Sequence, residues 1–294
     1  MIKLLNNNPN LYRPEREFFL SSLESTKQLK NSENEQIKFH CFWRVPKEFG
    51  RKQLAVLKSI IVNHNTKTEI NLWSNVDLSN NEYIQEVLPF ITLRIWDLEE
   101  EIKGTILENC NHMKTDLVRD RTCYSEGDVF RLLVLQKYGG FYIDMDVLVL
   151  KSFLPLNDYE FLYQWGTSGF NNNEPNITMN GAIMKLDKGS RLSDEFLELL
   201  SVTPPSKDSF GWGNQMYSKI VKNDLLVLPG VWFNSEWGFE GTSCNPFQNV
   251  GNVELFDGAF AWHWHNRWDE HIQEGSKFEV LEKLHNKLFS ELQK

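Results

Sequence analysis

The sequence predicts an α/β protein in which one large domain, residues 37–294, carries a sheet covered by helices on both faces, preceded by an N-terminal helical extension at residues 1–36. Three observations support this. From Ile37 to Trp96 apolar runs alternate with helical periodicities, the order expected of parallel strands covered on both faces. A helical stretch at 126–138 ends at Gly139-Gly140 and passes directly into further strand-like runs. A chain of 294 residues accommodates a single α/β domain with helical additions and does not force two.

Residues 14–30 read as a helix with Phe18, Phe19, Leu23 and Leu29 roughly on one face. The polar segment 31–36 is a loop, and Ile37 to Val45 is a buried strand ended by Pro46. Leu54, Leu57, Ile60 and Ile61 recur at helical spacing within 51–63. Glu69 to Trp73 is the next strand, 81–88 a helix stopped at Pro89, and Ile91 to Trp96 a third strand. Sheets of this kind bind ligands at the carboxyl ends of their strands, so the loop after Trp43 is a candidate site on topology alone. The clearest helix is 126–138, with Val129, Leu132, Leu133 and Leu135 as its apolar face and the two glycines as its stop. Phe141 to Ile143 then runs as a strand into Asp144-Met145-Asp146, and Val147 to Leu150 continues it. Further strands are expected at 160–165, 179–186, 225–228 and 253–256, and further helices at 189–201, 213–222 and 276–292.

Composition narrows the function. Hydrophobic residues make up 41% and charged residues 24% of the chain, as in an ordinary globular protein. A net charge of −9 with no basic stripe argues against nucleic acid as a partner. A nucleoside diphosphate remains compatible, because a metal ion neutralises it locally. Ten tryptophans, half of them between Trp232 and Trp268, suit either core packing or stacking on bases and sugars. The four cysteines form no CxxC pair, so a zinc site is not expected; Cys110 and Cys123 are a possible pair, and a reduced, cytoplasmic protein is the simpler reading. No apolar run reaches the 18 residues of a spanning helix, and the start is too short for a signal sequence. Asn176-Ile177-Thr178 fits a glycosylation sequon that matters only for a secreted chain.

The candidate chemistry centres on Asp144 and Asp146. Alternate residues of an extended chain point the same way, so the two carboxylates project together. Two carboxylates at the end of a buried strand call for a compensating cation, and a divalent metal with oxygen ligands is the natural one. A bare D-x-D is also common in solvated loops. The preceding helix adds specificity: Asp128 and Arg131 lie three apart on one face and are delivered to the Gly-Gly turn before the aspartates. There an arginine holds a diphosphate or a sugar hydroxyl and an aspartate accepts from sugar hydroxyls, although a plain ion pair satisfies the same spacing.

The string from Gly127 to Val147 resembles the D-x-D sugar-binding region of glycosyltransferase family 32 and is similar to the glucosyltransferase domains of the large clostridial toxins. The match rests on Asp128, Arg131, Leu135, Gly139, Gly140, Tyr142, Asp144 and Asp146. Gly127 departs from the family's serine, and Ser125 is a substitute helix cap. Phe39-His40-Cys41-Phe42-Trp43 is similar to the family's opening strand, a likeness that assigns Trp43 to stacking on the donor base. Ala261 to Trp268 resembles its closing motif, placing His263 at the family histidine, Asn266 in place of a serine and Trp268 at the final tryptophan. His265 is an alternative ligand, since neutral imidazole suits manganese. Asn180 falls where the family carries an asparagine turn over the sugars, while 211–215 departs from the family pattern.

The resemblance implies a GT-A-type, Rossmann-like fold, an α/β domain with a mixed sheet flanked by helices. It also implies a metal-dependent transfer, with retention, from a nucleoside diphosphate sugar, most often a UDP-sugar, to a glycan, glycolipid or glycoprotein acceptor. On that likeness Mn²⁺ or Mg²⁺ sits on Asp146, with Asp144 on the ribose or a metal-bound water. Asp128 and Arg131 orient the donor sugar and Tyr142 supports the donor. Two alternatives stand beside this reading. One is a binding module that holds carbohydrate or nucleotide sugar without turnover. The other is a haloacid-dehalogenase-type phosphatase, whose first motif the Phe141–Leu148 segment also resembles, though no downstream Asp-Asp follows.

Overall fold

The computed structural model of the chain describes residues 16–64, 67–115, 124–171, 174–204, 211–220, 225–234, 247–249 and 257–294. The N-terminal helix α1 spans Arg16–Ser25, and a 3-10 turn at Thr26–Gln28 replaces the rest of the expected helix. Then follow β1 (Ile37–Trp43), α2 (Arg51–Asn63), β2 (Thr68–Ser74), α3 (Glu82–Val87), β3 (Thr92–Ile95) and the short α4 (Leu98–Glu101). The middle of the chain supplies α5 (Tyr124–Tyr138), β4 (Gly140–Ile143) and β5 (Val147–Val149). The remainder comprises β6 (Phe161–Asn171), β7 (Glu174–Leu186), α6 (Arg191–Val202), α7 (Gly211–Ile220), β8 (Leu226–Leu228), β9 (Ala261–His263) and α8 (Lys277–Leu292). The strand expected at 253–256, Cys123 and Cys244 lie outside the described residues, as does the side chain of Asn176.

Local chemistry starts the helices where the sequence marks them. The Asn81 side chain accepts from the backbone N–H of Tyr83 and Ile84 at the head of α3, and Ser190 and Ser276 do the same for α6 and α8. Each such cap is worth about 1 kcal/mol. Ser125, by contrast, is buried within the first turn of α5 and does not precede it as a cap.

Seven strands form one sheet in the order β3-β2-β1-β4-β7-β6-β8. β3, β2, β1 and β4 run parallel, β7 is antiparallel to both neighbours, and β8 pairs parallel with β6. Both faces are covered. Phe39, Cys41 and Phe141 belong to one core with Leu54, Leu57 and Ile60 of α2, whereas Phe42 and Tyr142 face a second core with Phe130 and Leu133 of α5. The extension joins the first core through Leu23, and Trp232 Nε1 donates to the Ser22 carbonyl at 3.0 Å.

Two expectations are corrected. The strands expected at 160–165 and 179–186 are longer: β6 runs on to Asn171 and β7 begins at Glu174, and the two form a long antiparallel pair. The strand through Asp144 does not run on to Leu150 either. It breaks at a turn, closed by the Val147 N–H on the Asp144 carbonyl at 3.2 Å. β5 then leaves the main sheet and pairs antiparallel with β9. The physical reason is pairing: β4 already has β1 and β7 as neighbours, and the turn sends the next strand to a separate partner near the C-terminus.

Candidate active site

That turn builds the centre of the site. Asp144 and Asp146 face a common point because a turn folds them together, not because an extended strand alternates. The β5–β9 register sets Val147 opposite His263, so the C-terminal strand delivers an imidazole beside the second aspartate. His263 Nε2 lies 3.1 Å from Asp146 Oδ2, and the Asn266 N–H donates to the same oxygen at 2.7 Å. The Asn266 approach requires left-handed backbone at His265 (φ 55°) and Asn266 (φ 54°), a region L-residues seldom adopt and one that concentrates at functional sites. Tyr163 from β6 fixes the far side of the ring, its hydroxyl 2.8 Å from His263 Nδ1. Such an outer partner orients a ligating histidine.

The other Asp146 oxygen, Oδ1, is buried without a hydrogen-bond partner. Leaving a buried acceptor unsatisfied costs about 1–3 kcal/mol, and more when it is charged. Carboxylate oxygens of Asp144 and Asp146 and a ring nitrogen of His263 lie within 4.8 Å of one another. Two hard carboxylates, one imidazole and an unsatisfied inner oxygen fit a divalent cation of the Mn²⁺ or Mg²⁺ kind. Burial works to raise the Asp146 carboxyl, but His263 and the Asn266 N–H outweigh it and hold the group below its ordinary value. Burial raises the Asp144 carboxyl; Arg131 opposes the shift and Asp146 adds to it. His265 is not part of this group: its Nε2 bonds Asn234 Oδ1 at 2.9 Å, and its ring packs 4.0 Å from that of His263.

The helix before the aspartates forms the next layer. Asp144 Oδ1 accepts from the Tyr142 hydroxyl and from Arg131 Nη2, the latter at 3.4 Å. Arg131 also lies 3.6 Å from Asp128, 3.4 Å from the Tyr217 hydroxyl of α7, and over the Tyr142 ring. Asp128 is covered by α7, accepting from the Gly213 N–H and from Tyr217, and burial raises its carboxyl to about 6 against the pull of Arg131. The junction is tightly packed at two glycines. A Cβ on Gly181 of β7 would stand 2.3 Å from the Tyr217 hydroxyl and 2.8 Å from Arg131 Nη1, and one on Gly213 would stand 2.9 Å from Asp128. Asn180 is placed beside this junction, but its side chain turns to the Ala182 N–H.

A shallow cleft of about 80 Å³ opens over these groups. Its lining includes Phe42, Trp43, Arg44 and Lys47 from β1 and the segment after it, together with Asp144, Asp146, Asn266 and Trp268. Trp43 is only 5% exposed, set edge-on against Trp268 with centroids 5.1 Å apart. It forms part of the wall of the cleft. Lys52 of α2 holds the Trp268 turn by donating to the carbonyls of Arg267, Trp268 and Glu270 at 2.6–2.8 Å.

Residues 51–163 match the family described as the glycosyltransferase sugar-binding region containing the DXD motif. That match covers less than half of the chain; it supports a glycosyltransferase, with a likeness to family 32 over this stretch. No curated protein sequence matches it. Among solved structures, the glycosyltransferase GlyE of Streptococcus pneumoniae TIGR4 aligns over 88% of the transferase and 63% of its own chain, at 14% identity and a TM-score of 0.51. The bifunctional glycosyltransferase WbbM aligns over 89% and 52%, at 10% identity and a TM-score of 0.51. The PaToxG glycosyltransferase covers 73% and 78%, at 16% identity and a TM-score of 0.48. The transferase thus spans about three fifths of GlyE and half of WbbM. Likeness at these identities establishes the fold, a GT-A-type mixed sheet flanked by helices, and leaves substrates open.

The structure brings Asp144, Asp146 and His263 together and gathers Asp128, Arg131 and Tyr142 behind them. It adds to the transferase's site four residues that sequence reasoning passes over: Arg44, Lys52, Tyr163 and Tyr217. For Arg44 a signal is present, since it follows Trp43 in the loop that topology marks. For the others, no local pattern separates a partner of the site from an ordinary strand tyrosine or surface lysine.

Proposed function

We propose that this transferase moves a hexosyl unit from a UDP-sugar, with retention, to a hydroxyl of a glycan, glycolipid or glycoprotein acceptor, with Mn²⁺ or Mg²⁺ bound by Asp146, His263 and Asp144. The observation that carries the reading is the unsatisfied, buried Asp146 Oδ1 within reach of the other two ligands. A divalent ion bound there supplies Lewis-acid stabilisation of the charge that develops on the leaving diphosphate. The chain's own contribution is positional. Tyr163 fixes His263, the Asn266 N–H holds one oxygen of Asp146, and Tyr142 with Arg131 holds Asp144. These partners keep the site in one geometry without reorganisation, which is how preorganised groups favour a transition state.

Asp128 and Arg131, braced by Tyr217, are the groups for the donor sugar. Arg131 is already engaged by Asp144, Asp128 and Tyr217, so its task is to orient hydroxyls rather than to neutralise a diphosphate. Retention and the uridine donor rest on the resemblance to family 32. A cytoplasmic setting belongs to the same reading and is supported by Cys41 and Cys110 as free thiols. Among the described residues, no helix is long and apolar enough to cross a membrane.

The test is a screen of UDP-sugars for UDP release with Mn²⁺, followed by nuclear magnetic resonance of the product's anomeric centre. The reading expects release from at least one donor and loss of about 10²–10³-fold in Asp146→Ala of unchanged melting temperature. Full activity in that variant refutes the metal assignment, and nucleotide binding without release from any donor favours the binding module.

A further inference from the structure

The C-terminal turn beside the metal group is held at both ends. At its start the Asn266 N–H donates to Asp146 Oδ2 at 2.7 Å, with left-handed backbone at His265 and Asn266. Trp268 folds back on Asn266, its N–H on the Asn266 carbonyl and its Nε1 on Asn266 Oδ1, both at 2.9 Å. At the far end the carbonyls of Arg267, Trp268 and Glu270 converge on the Lys52 ammonium at 2.7, 2.8 and 2.6 Å.

An ammonium has three N–H donors, and these three carbonyls use all of them. Lys52 is 8% exposed, and its Nζ also stands 3.8 Å from the centre of the Phe247 ring. A buried charge is costly unless hydrogen bonds compensate it. The carbonyls therefore solvate the charge, and the charge gathers three carbonyls whose dipoles would otherwise repel. Left-handed backbone at residues other than glycine persists only where the surroundings over-determine it. Here Asp146 fixes one side of the 265–266 bend and Lys52 the other.

The platform under Lys52 is firm. It is the second residue of α2, whose Leu54, Leu57 and Ile60 lie in the first core, and the preceding Arg51 makes a two-pronged pair with Glu282 of α8 at 2.6 and 2.5 Å. Lys52 lines a neighbouring cavity of about 670 Å³, which shares Trp43, Lys47, Asn266 and Trp268 with the cleft over the metal group. Its side chain is committed to the turn, so its influence on the metal group passes through the turn.

We propose that Lys52 is a positioning residue of the metal site: by anchoring the carbonyls of 267–270 it keeps the Asn266 N–H on Asp146, and so sets the affinity for the divalent ion without touching it. The proposal rests on the metal reading above and extends it to a helix remote in sequence from every ligand.

The experiment is calorimetric titration of Mn²⁺ into the full chain with UDP present, for the wild type, Lys52→Met, Lys52→Gln and Lys58→Met, beside thermal melting. Lys58 is the control, a buried lysine of the same helix that bonds Glu86 and Asn286 instead of the turn. Lys52→Met is expected to weaken Mn²⁺ binding about tenfold or more, the scale of losing a partner that orients a ligand. Lys52→Gln keeps an amide donor but no charge; it is expected to weaken binding about threefold or more, and it decides the matter if the methionine variant does not fold. Lys58→Met is expected to lower the melting temperature and to leave Mn²⁺ affinity within about twofold of the wild type, as a site with no shared partner does. Wild-type affinity in a folded Lys52 variant, or an equal loss in Lys58→Met, overturns the positioning role and leaves the metal reading intact. Absence of Mn²⁺ binding in the wild type overturns both.

Discussion

Asp128 and Asp146 show how far two carboxylates of the same site diverge in their surroundings. Asp146 is held below its ordinary value, with burial outweighed by His263, whereas burial lifts Asp128 to about 6. Arg131 pairs with the ionised form of Asp128, so kcat/KM is expected to fall as pH drops below about 6, at most roughly tenfold per unit for one group. The stability effect has the opposite sign. With the folded value raised above 3.8, the native state takes up a proton between pH 6 and 4 that the unfolded chain does not, so protonation of Asp128 stabilises the fold across that window. A pH–rate profile read beside urea midpoints checks both, and an activity flat between about pH 5 and 7 contradicts the assignment. At this scale the sequence is most legible where residues lie close along the chain: Asp128, Arg131, Tyr142, Asp144 and Asp146 all fall within one helix–turn–strand unit. Tyr163 is not legible, because its partner His263 is far away in sequence, and Arg44 is marked only by its place after Trp43, its partner Glu126 being equally remote.

At the scale of elements, the site depends on three joints. The Gly139-Gly140 turn links α5 to β4 in left-handed backbone, φ 66° and 107°, and a Cβ on Gly140 would stand 2.6 Å from the Lys38 carbonyl of β1. The β5–β9 pair brings in His263. The third joint packs β7 against α5 and α7 at Gly181, where the Arg131 and Tyr217 side chains approach the backbone. Gly181→Ala is therefore expected to lower turnover at least about tenfold by displacing Arg131, with a stability loss of only about 1–3 kcal/mol, the usual cost of local overpacking. Steady-state kinetics beside chemical denaturation separates the two effects, and wild-type turnover shows that the close approach is not needed. Many elements are readable from periodicity, since α2 and α8 carry apolar faces, whereas α5 is buried nearly all round, from Val129 through Leu135. The β5–β9 pair is not, because two three-residue strands far apart in sequence leave no periodic trace. The extension of β6 and β7 escapes sequence reading for another reason: Gly166, Gly169, Asn171 and Asn172 are typical loop residues, yet antiparallel pairing carries the strands as far as Asn171 and Glu174.

Across the whole molecule, the parallel half of the sheet and the antiparallel half meet at β4 and β7, and the site sits at that seam. β1 and β4 of the parallel half contribute Trp43 and the approach to the aspartates, β6 and β7 of the other half contribute Tyr163 and Gly181, and the C-terminal turn closes the cleft with Asn266 and Trp268. The parallel half is clear in the sequence through its alternation of strand and helix, but the reversal of β7 depends on which neighbour it finds, which composition does not record. The central claim is that this seam holds one divalent metal ion on Asp146 and His263, and it is tested most directly by calorimetric titration of Mn²⁺ into the full chain with UDP present. The account predicts a single site in the wild type, with affinity weakened by about 100-fold or more in Asp146→Asn and by about 10–100-fold in Tyr163→Phe, which removes only the outer partner of His263. Undiminished Mn²⁺ binding by Asp146→Asn, in a variant shown to be folded, contradicts it.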